Sequence, residues 1–191
     1  MISLSIENLI HGLWIALGTI WVIGSIRSKP TIRSQATAAR TIHLILLVIA
    51  SILVFQSWSG FGPLGRQLYP RSAATDWIGL GMTAAGVAFA AWARFFLGGN
   101  WSATVTLKEH HTLVRGGPYA LVRHPIYTGC LLAILGTAIA IGELRGFLGW
   151  TIAFATWWVK SHVEEEFMTR QFGDAYVAYR REVKALIPYV L

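Results

Sequence analysis

A short polar segment that leads into an apolar one holds side chains suited to binding a charged ligand. His124 precedes Pro125, which pushes residue 124 out of the helical backbone region and makes Pro125 a favoured first residue of a helix. Arg123, His124 and Tyr127 would therefore crowd the start of that helix. Because a helix start has free N–H groups and the positive end of the helix dipole, we expect an anion there.

Three consecutive carboxylates, Glu164, Glu165 and Glu166, follow the next apolar segment. Acidic side chains at the end of a membrane helix are costly where water is scarce, and a helix C-terminus prefers cations. Something must compensate for their charge. Lys160 can pair with Glu164 on the same helix face, and a bound cation or a set of hydroxyl groups is another candidate.

The elements that would position these residues are membrane helices. The 191-residue chain is 54% hydrophobic and only 13% charged, which disfavours a soluble globular enzyme, a disordered chain or a disulfide scaffold. Its one cysteine, Cys130, cannot form an intrachain disulfide or a cysteine-rich metal site. We predict an all-α integral membrane domain with five transmembrane helices, at about residues 8–26, 41–58, 77–97, 125–142 and 145–163.

The connection at Gly142–Gly146 is too short for anything but an antiparallel hairpin of helices 4 and 5. Residues 98–124 and 160–188 would then meet on one membrane face. Small residues spaced four apart, such as Gly129 and Ala133, predict close helix packing. Apolar and aromatic residues at helical spacing predict a C-terminal amphipathic helix, and they are Phe172, Tyr176, Tyr179 and Val183.

The basic residues predict the orientation. With the N-terminus outside and the C-terminus in the cytoplasm, thirteen of the sixteen lysines and arginines fall on the inner side. This asymmetry explains the net charge of +7 without a nucleic-acid partner, because anionic lipid of the inner leaflet suffices. We expect a multi-pass protein of a bacterial or archaeal cell membrane, or of the endoplasmic reticulum in a eukaryote.

The run His111-Thr-Leu-Val-Arg-Gly-Gly-Pro-Tyr119, continued by Arg123-His-Pro-Ile-Tyr127, resembles the cofactor segment of the isoprenylcysteine carboxyl methyltransferase family. The glutamate run with Phe172-Gly-Asp-Ala-Tyr176 resembles that family's C-terminal element. The resemblance covers about residues 94–188.

The resemblance implies that S-adenosylmethionine is the methyl donor. It also implies that the acceptor is lipophilic, either a small molecule or a lipidated peptide. The methylated group would be the carboxylate of an isoprenylcysteine-like substrate. It implies that Lys160 replaces an arginine that contacts the substrate. Because a carboxylate acceptor is already a nucleophile, we expect a positioning mechanism with no catalytic residue. We expect no metal, because the spacing of His111, His124 and Glu164 matches no known ligand pattern. The implied cofactor-binding residues are His111, Thr112, Leu113, Val114, Tyr119, His124, Pro125, Ile126, Tyr127 and Glu164 or Glu165.

Three other functions remain open. A phospholipid N-methyltransferase would need a base for its amine acceptor, which His111 or His124 could supply. A sterol-reductase-like enzyme would use NADPH, although such chains usually have more spans. A membrane interaction protein would have no activity.

Overall fold

The computed structural model describes residues 5–26, 31–34, 37–56, 59–98, 106–108 and 113–190. This part of the chain is mostly helical. Its helices are α1 Ile6–Ile26, α2 Thr37–Phe55, α3 Ala73–Leu97, α4 Pro125–Ile141, α5 Leu144–Phe172 and α6 Asp174–Glu182, with short 3-10 helices at Ser59–Gly65 and Gly117–Ala120. Two short strands, β1 Thr31–Ser34 and β2 Thr106–Lys108, pair antiparallel.

Each of the five predicted spans overlaps one of the helices α1 to α5. Among the described residues, Ile6–Gly24 and Ala73–Leu97 are long and apolar enough to cross a membrane. Arg40–Phe55 and Pro125–Ile141 are apolar but shorter. Five membrane crossings therefore stay a prediction.

Helix α3 starts and ends at clear local signals. The Ser72 hydroxyl accepts a hydrogen bond from the Thr75 backbone, and the Thr75 hydroxyl accepts one from the Ser72 backbone, which together form a capping box. Gly98, with φ of 55°, follows the last residue of the helix. Positive φ is a conformation that glycine adopts at little cost.

Small residues allow α3 and α4 to touch along their backbones. A Cβ atom on Gly129 of α4 would lie 2.6 Å from the backbone nitrogen of Ala90 on α3, and one on Gly136 would lie 2.6 Å from the Gly79 carbonyl oxygen. The close packing predicted from the spacing of Gly129 and Ala133 is confirmed.

Helix α4 spans the distance between two ends of the bundle. At its C-terminus Gly142, with φ of 71°, and Glu143 connect it to α5. There the loop before α3 adds its own contacts, because Gln67 forms an isolated β-bridge with Glu143 and the Tyr69 hydroxyl donates to the Ile139 carbonyl at 2.7 Å. The other end of α4 faces the C-terminal segment.

The C-terminal segment differs from the predicted single helix. Gly173, with φ of 53°, separates α5 from α6, so that Phe172 ends α5 and Val183 follows α6. Tyr176 and Tyr179 are 2% and 3% exposed, so these members of the predicted stripe pack inside the protein. After α6 the chain runs past the start of α4.

Candidate functional site

His124 stands at the start of α4 with φ of −121° and ψ of 60°, outside the helical region, as its place before Pro125 predicts. Its backbone N–H donates to the Ala185 carbonyl at 3.0 Å, and the N–H of Arg123 donates to the Lys184 carbonyl at 2.8 Å. The Thr128 hydroxyl donates to the Leu186 carbonyl at 2.7 Å. The chain after α6 therefore holds the backbone around His124 in place.

Both ring nitrogens of His124 face carboxylates of α5. Nε2 lies 3.2 Å from Oε1 of Glu165, and Nδ1 lies 3.5 Å from Oε2 of Glu164. The imidazole therefore bridges two adjacent glutamates. In the described structure, the anion expected at the start of α4 is supplied by the protein itself.

Glu165 is the more enclosed of the two carboxylates, with 6% of its side chain exposed. Arg123 donates to Oε1 from Nε at 2.8 Å and from Nη2 at 2.6 Å, and Arg180 of α6 approaches Oε2 at 3.1 Å. Arg123 also donates to the carbonyls of Arg180 and Val183. Glu165 thus joins α5, the start of α4 and the C-terminal segment.

Glu164 is more open, with 22% of its side chain exposed. The Tyr127 hydroxyl donates to its Oε1 at 2.6 Å, and Nζ of Lys160 lies 3.9 Å from the same oxygen. The pairing of Lys160 with Glu164 predicted from their spacing is confirmed, and Tyr127 is one of the predicted hydroxyl partners. Glu166 is 70% exposed and lies 3.8 Å from Arg170.

Aromatic rings form one wall of the site. The ring of Tyr127 stacks between those of His124 and Trp157, with centroid distances of 5.4 Å and 5.7 Å. Nζ of Lys160 lies 5.4 Å from the centroid of Tyr127. Planar faces beside a carboxylate suit a ligand that is both aromatic and cationic.

The charged groups hold one another in their ionised forms. Burial alone would lower the pKa of His124, but hydrogen bonds to Glu164 and Glu165 outweigh it and raise that pKa above 6.5. Burial alone would raise the pKa of Glu165, but His124 and Arg123 lower it to about 2. The pKa of Glu164 is also lowered, since His124 and Lys160 outweigh its burial. These contacts favour the protonated form of His124 between the two carboxylates.

The structure brings together five of the residues predicted for the site: His124, Tyr127, Glu164, Glu165 and Lys160. The other predicted residues lie outside this cluster or outside the described part of the chain. Pro125 and Tyr119 are buried, Ile126 packs against the core around Leu17, and Leu113 and Val114 are half-buried outside regular structure. His111 and Thr112 lie outside the described residues.

Arg180 and Trp157 contribute to the site but were not among the predicted residues. The signal for Arg180 was indirect, since an acidic run at a helix end requires compensating cations and Arg180 belongs to the basic C-terminal stretch. Trp157 is one of three tryptophans in the predicted fifth span, 145–163. The residue stacked on Tyr127 could be chosen only once the packing of α4 on α5 was known.

Comparison with known proteins assigns the chain to a family. The family model described as phospholipid methyltransferase matches residues 74–175, just over half of the chain. The chain belongs to the phospholipid methyltransferase family. The match begins at the second residue of α3 and includes all of α4 and α5, and hence His124, Tyr127, Glu164 and Glu165.

Proteins similar to the chain carry a more specific name. The chain is 28% identical over 146 residues to the protein-S-isoprenylcysteine O-methyltransferase of Xenopus laevis. The aligned segment covers 73% of this chain and 50% of that protein. It is 33% identical over 96 residues to the Schizosaccharomyces pombe protein of the same name, covering 49% of this chain and 41% of that protein. The chain thus spans about half the length of these relatives or less. The predicted resemblance to isoprenylcysteine carboxyl methyltransferases is confirmed.

A solved structure has a similar fold. It is described as the eukaryotic intramembrane Ras methyltransferase ICMT, an isoprenylcysteine carboxyl methyltransferase, and matches with a TM-score of 0.52 at 25% identity. The match covers 81% of this chain and 52% of the other. The fold of this family member therefore resembles that of an intramembrane enzyme.

Proposed function

We propose that the chain is a membrane-embedded methyltransferase that uses S-adenosylmethionine to methylate a lipophilic acceptor, with the carboxylate of an isoprenylcysteine-like compound as the favoured acceptor group. Family membership and the names of the relatives support a methyltransferase of this kind. The observation that carries the proposal is the partly open Glu164 carboxylate, which Tyr127 and His124 orient beside stacked aromatic rings.

The donor set fits the cofactor. S-adenosylmethionine has a cationic sulfonium and ammonium, ribose hydroxyl donors and a planar adenine; when bound, it supplies an electrophilic methyl group. Glu164 can accept hydrogen bonds or pair with a cation, and the Tyr127 hydroxyl orients its carboxylate. The proposed binding residues are His111, Thr112, Leu113, Val114, Tyr119, His124, Pro125, Ile126, Tyr127 and Glu164.

Glu165 is assigned a different part from Glu164. Its two oxygens already form hydrogen bonds or ion pairs with Arg123, Arg180 and His124, and its side chain is only 6% exposed. We assign it the role of a positioning residue that keeps the His124 ring in place. This assignment favours Glu164 over Glu165 as the cofactor contact.

The state of His124 favours a carboxylate acceptor over an amine. A carboxylate is already a nucleophile, so the protein needs only to position it and exclude water. An amine must first lose a proton to a base. Because His124 has a raised pKa and both of its ring nitrogens face carboxylates, it lacks the free lone pair that a base requires.

Lys160 is the proposed contact for the acceptor. Its Nζ lies beside Glu164 and above the ring of Tyr127, so a cation stands next to the proposed cofactor residues. An ammonium can attract a carboxylate as a point charge, without the bidentate geometry of an arginine.

The length of helix α5 supports the proposed fifth span. Helix α5 has 29 residues, about 43 Å at 1.5 Å per residue, whereas a membrane core of about 30 Å needs about 20 residues. A span that begins at Leu144 therefore ends near residue 163, immediately before Glu164. The proposed topology, with the N-terminus outside and the C-terminus in the cytoplasm, puts the site at the inner surface.

A phospholipid N-methyltransferase is the second candidate, and the description of the matching family model favours it. One experiment separates the two. Purified protein in nanodiscs receives methyl-labelled S-adenosylmethionine with either an N-acetylated prenylcysteine or phosphatidylethanolamine. We expect label on the prenylcysteine and its loss in Glu164→Gln, with activity kept in Glu166→Gln. Label only on phosphatidylethanolamine would overturn the proposed acceptor, and cofactor binding unaffected by Glu164→Gln would overturn the proposed site.

A further inference from the structure

A concavity opens next to the candidate site. It has a volume of about 520 Å³, and its walls include Trp158 and His162 of α5, Val177 of α6 and Val190. Arg123 and Glu165 form the part that it shares with the site, whereas His124, Tyr127 and Glu164 do not line it. Its contents would therefore sit behind Glu165, away from the open Glu164 carboxylate.

The cavity is rich in positive charge. Four of its lining residues are cations: Arg123, Arg180, Arg181 and Lys184. Its one lining carboxylate, Glu165, already accepts from Arg123 and Arg180.

Arg181 and Lys184 are exposed, and within the described part of the chain neither has a carboxylate within salt-bridge distance. The neighbouring Glu182 instead binds Arg115 at 2.6 Å. Like charges around one concavity repel each other unless an anion lies between them. The charge of the cavity thus calls for an anionic occupant.

Apolar side chains beside the cations indicate that this occupant is a lipid. Ile187, Tyr189 and Val190 follow Lys184 and are 45%, 92% and 68% exposed. Exposed apolar residues next to lysine and arginine are the arrangement by which proteins bind the anionic surface of a membrane. A free phosphate ion would use only the cations.

We propose that this cavity binds the phosphate headgroup of an anionic phospholipid, with Arg181 and Lys184 as the headgroup contacts and Tyr189 and Val190 against the acyl chains. The cavity, at about 520 Å³, is large enough for a whole glycerophosphate headgroup. The inference rests on the membrane location of the chain and not on methyl transfer, so it stands or falls separately from the proposed reaction.

Lipid binding to the purified 191-residue chain in a neutral detergent provides the test. Short-chain phosphatidylglycerol, phosphatidylcholine and glycerol phosphate are titrated by calorimetry into the wild type and into the double variant Arg181→Gln/Lys184→Gln. The matched control is Arg40→Gln/Arg66→Gln, which removes two exposed cations from other parts of the molecule. Binding of S-adenosylmethionine to each preparation is measured in parallel and reports separately on the proposed cofactor site.

We expect phosphatidylglycerol to bind the wild type and the control, and to lose about tenfold in affinity in the double variant, because each cation near a membrane surface strengthens binding to anionic lipid. Binding to the wild type should also weaken as salt is added. Equal affinity in the double variant and the control would overturn the proposal, and so would salt-independent binding. Phosphatidylcholine binding as tightly would contradict an anionic headgroup site, and glycerol phosphate binding as tightly would contradict a lipid.

Discussion

The Tyr127 hydroxyl donates a 2.6 Å hydrogen bond to Oε1 of Glu164, which links the first turn of α4 to a carboxylate 37 residues later on α5. The same tyrosine ring stacks on His124 and Trp157. Glu164 is consequently held in one orientation while part of it stays open to a ligand. This preorganisation is what a site that binds a cationic ligand next to lipid requires.

Replacing Tyr127 with phenylalanine removes this hydrogen bond and keeps the stacked ring. We expect the affinity for S-adenosylmethionine to fall about tenfold, since hydrogen bonds to charged groups contribute about 1.5–3 kcal/mol. Calorimetry on the purified protein measures the change. Tyr69→Phe is the control, because it removes a hydroxyl that donates to the Ile139 carbonyl at 2.7 Å, far from the site. A similar loss of affinity in both variants would contradict a specific role for Tyr127.

The three adjacent glutamates should respond differently to replacement by glutamine. Glu165→Gln leaves Arg123 and Arg180 short of a buried counterion, so the free energy of unfolding should fall by about 3 kcal/mol. Glu164→Gln should weaken cofactor binding about tenfold or more with a smaller loss of stability. Glu166→Gln changes an exposed side chain and should alter stability by no more than about 0.5 kcal/mol.

Thermal unfolding and calorimetry on the same preparations distinguish these outcomes. If Glu164→Gln and Glu165→Gln lost stability equally and bound cofactor equally, the division of roles between them would be wrong.

Short-range sequence rules were enough to predict where α4 starts, which face of it packs, and that charged partners lie near the glutamates. The order His124-Pro125 predicts where α4 starts, since proline restricts the residue before it and favours the first helical position. The spacing of Gly129 and Ala133 predicts the face of α4 that touches another helix. The charge of the glutamate run predicts that compensating groups must lie nearby. Each of these inferences depends on residues only a few positions apart.

Contacts between distant segments could not be predicted in the same way. The carbonyl of Ala185 accepts from the His124 backbone, and Arg180 reaches Glu165, because the chain turns back after Gly173. No periodicity in the sequence encodes that return. Adjacent residues on a helix differ by about 100° in direction, so Glu164 and Glu165 could not be assigned until the positions of Tyr127 and Arg123 were known.

The charges around His124 predict how stability depends on pH. Because the pKa of His124 is raised above 6.5 in the folded protein, its contribution is complete below about pH 6.5 and is lost as the pH rises through the folded value. The pKa of Glu165 is lowered from 4.5 to about 2, so its contribution is present above pH 4.5 and is lost as the pH falls towards 2. These two groups therefore stabilise the fold most between about pH 4.5 and 6.5.

Melting temperatures across this range and up to about pH 9 test the sign of the effect. The wild type should lose stability above about pH 6.5, and His124→Asn should be less stable than the wild type at low pH but show a flatter decline. His162→Asn is the control substitution, because His162 forms a hydrogen bond with the Trp158 carbonyl and contacts no carboxylate among the described residues. A wild-type protein whose stability rises steadily from pH 6 to 9 would contradict an imidazolium at position 124.

The contact between α3 and α4 predicts that Gly129→Ala is destabilising. A Cβ atom at this position would lie 2.6 Å from the Ala90 nitrogen and 2.7 Å from the Gly86 carbonyl oxygen, which are backbone atoms that cannot turn away. The helices must separate, at a cost of about 1–3 kcal/mol as in other overpacked interiors.

Gly81→Ala is the matched control on α3, since nothing lies within 4 Å of the added atom and alanine favours a helix over glycine. Thermal unfolding in detergent should show a lower melting temperature for Gly129→Ala and none of this loss for Gly81→Ala. Because α4 carries His124 and Tyr127 at its start, Gly129→Ala should also weaken cofactor binding, and an unchanged melting temperature would contradict the close approach of the two helices.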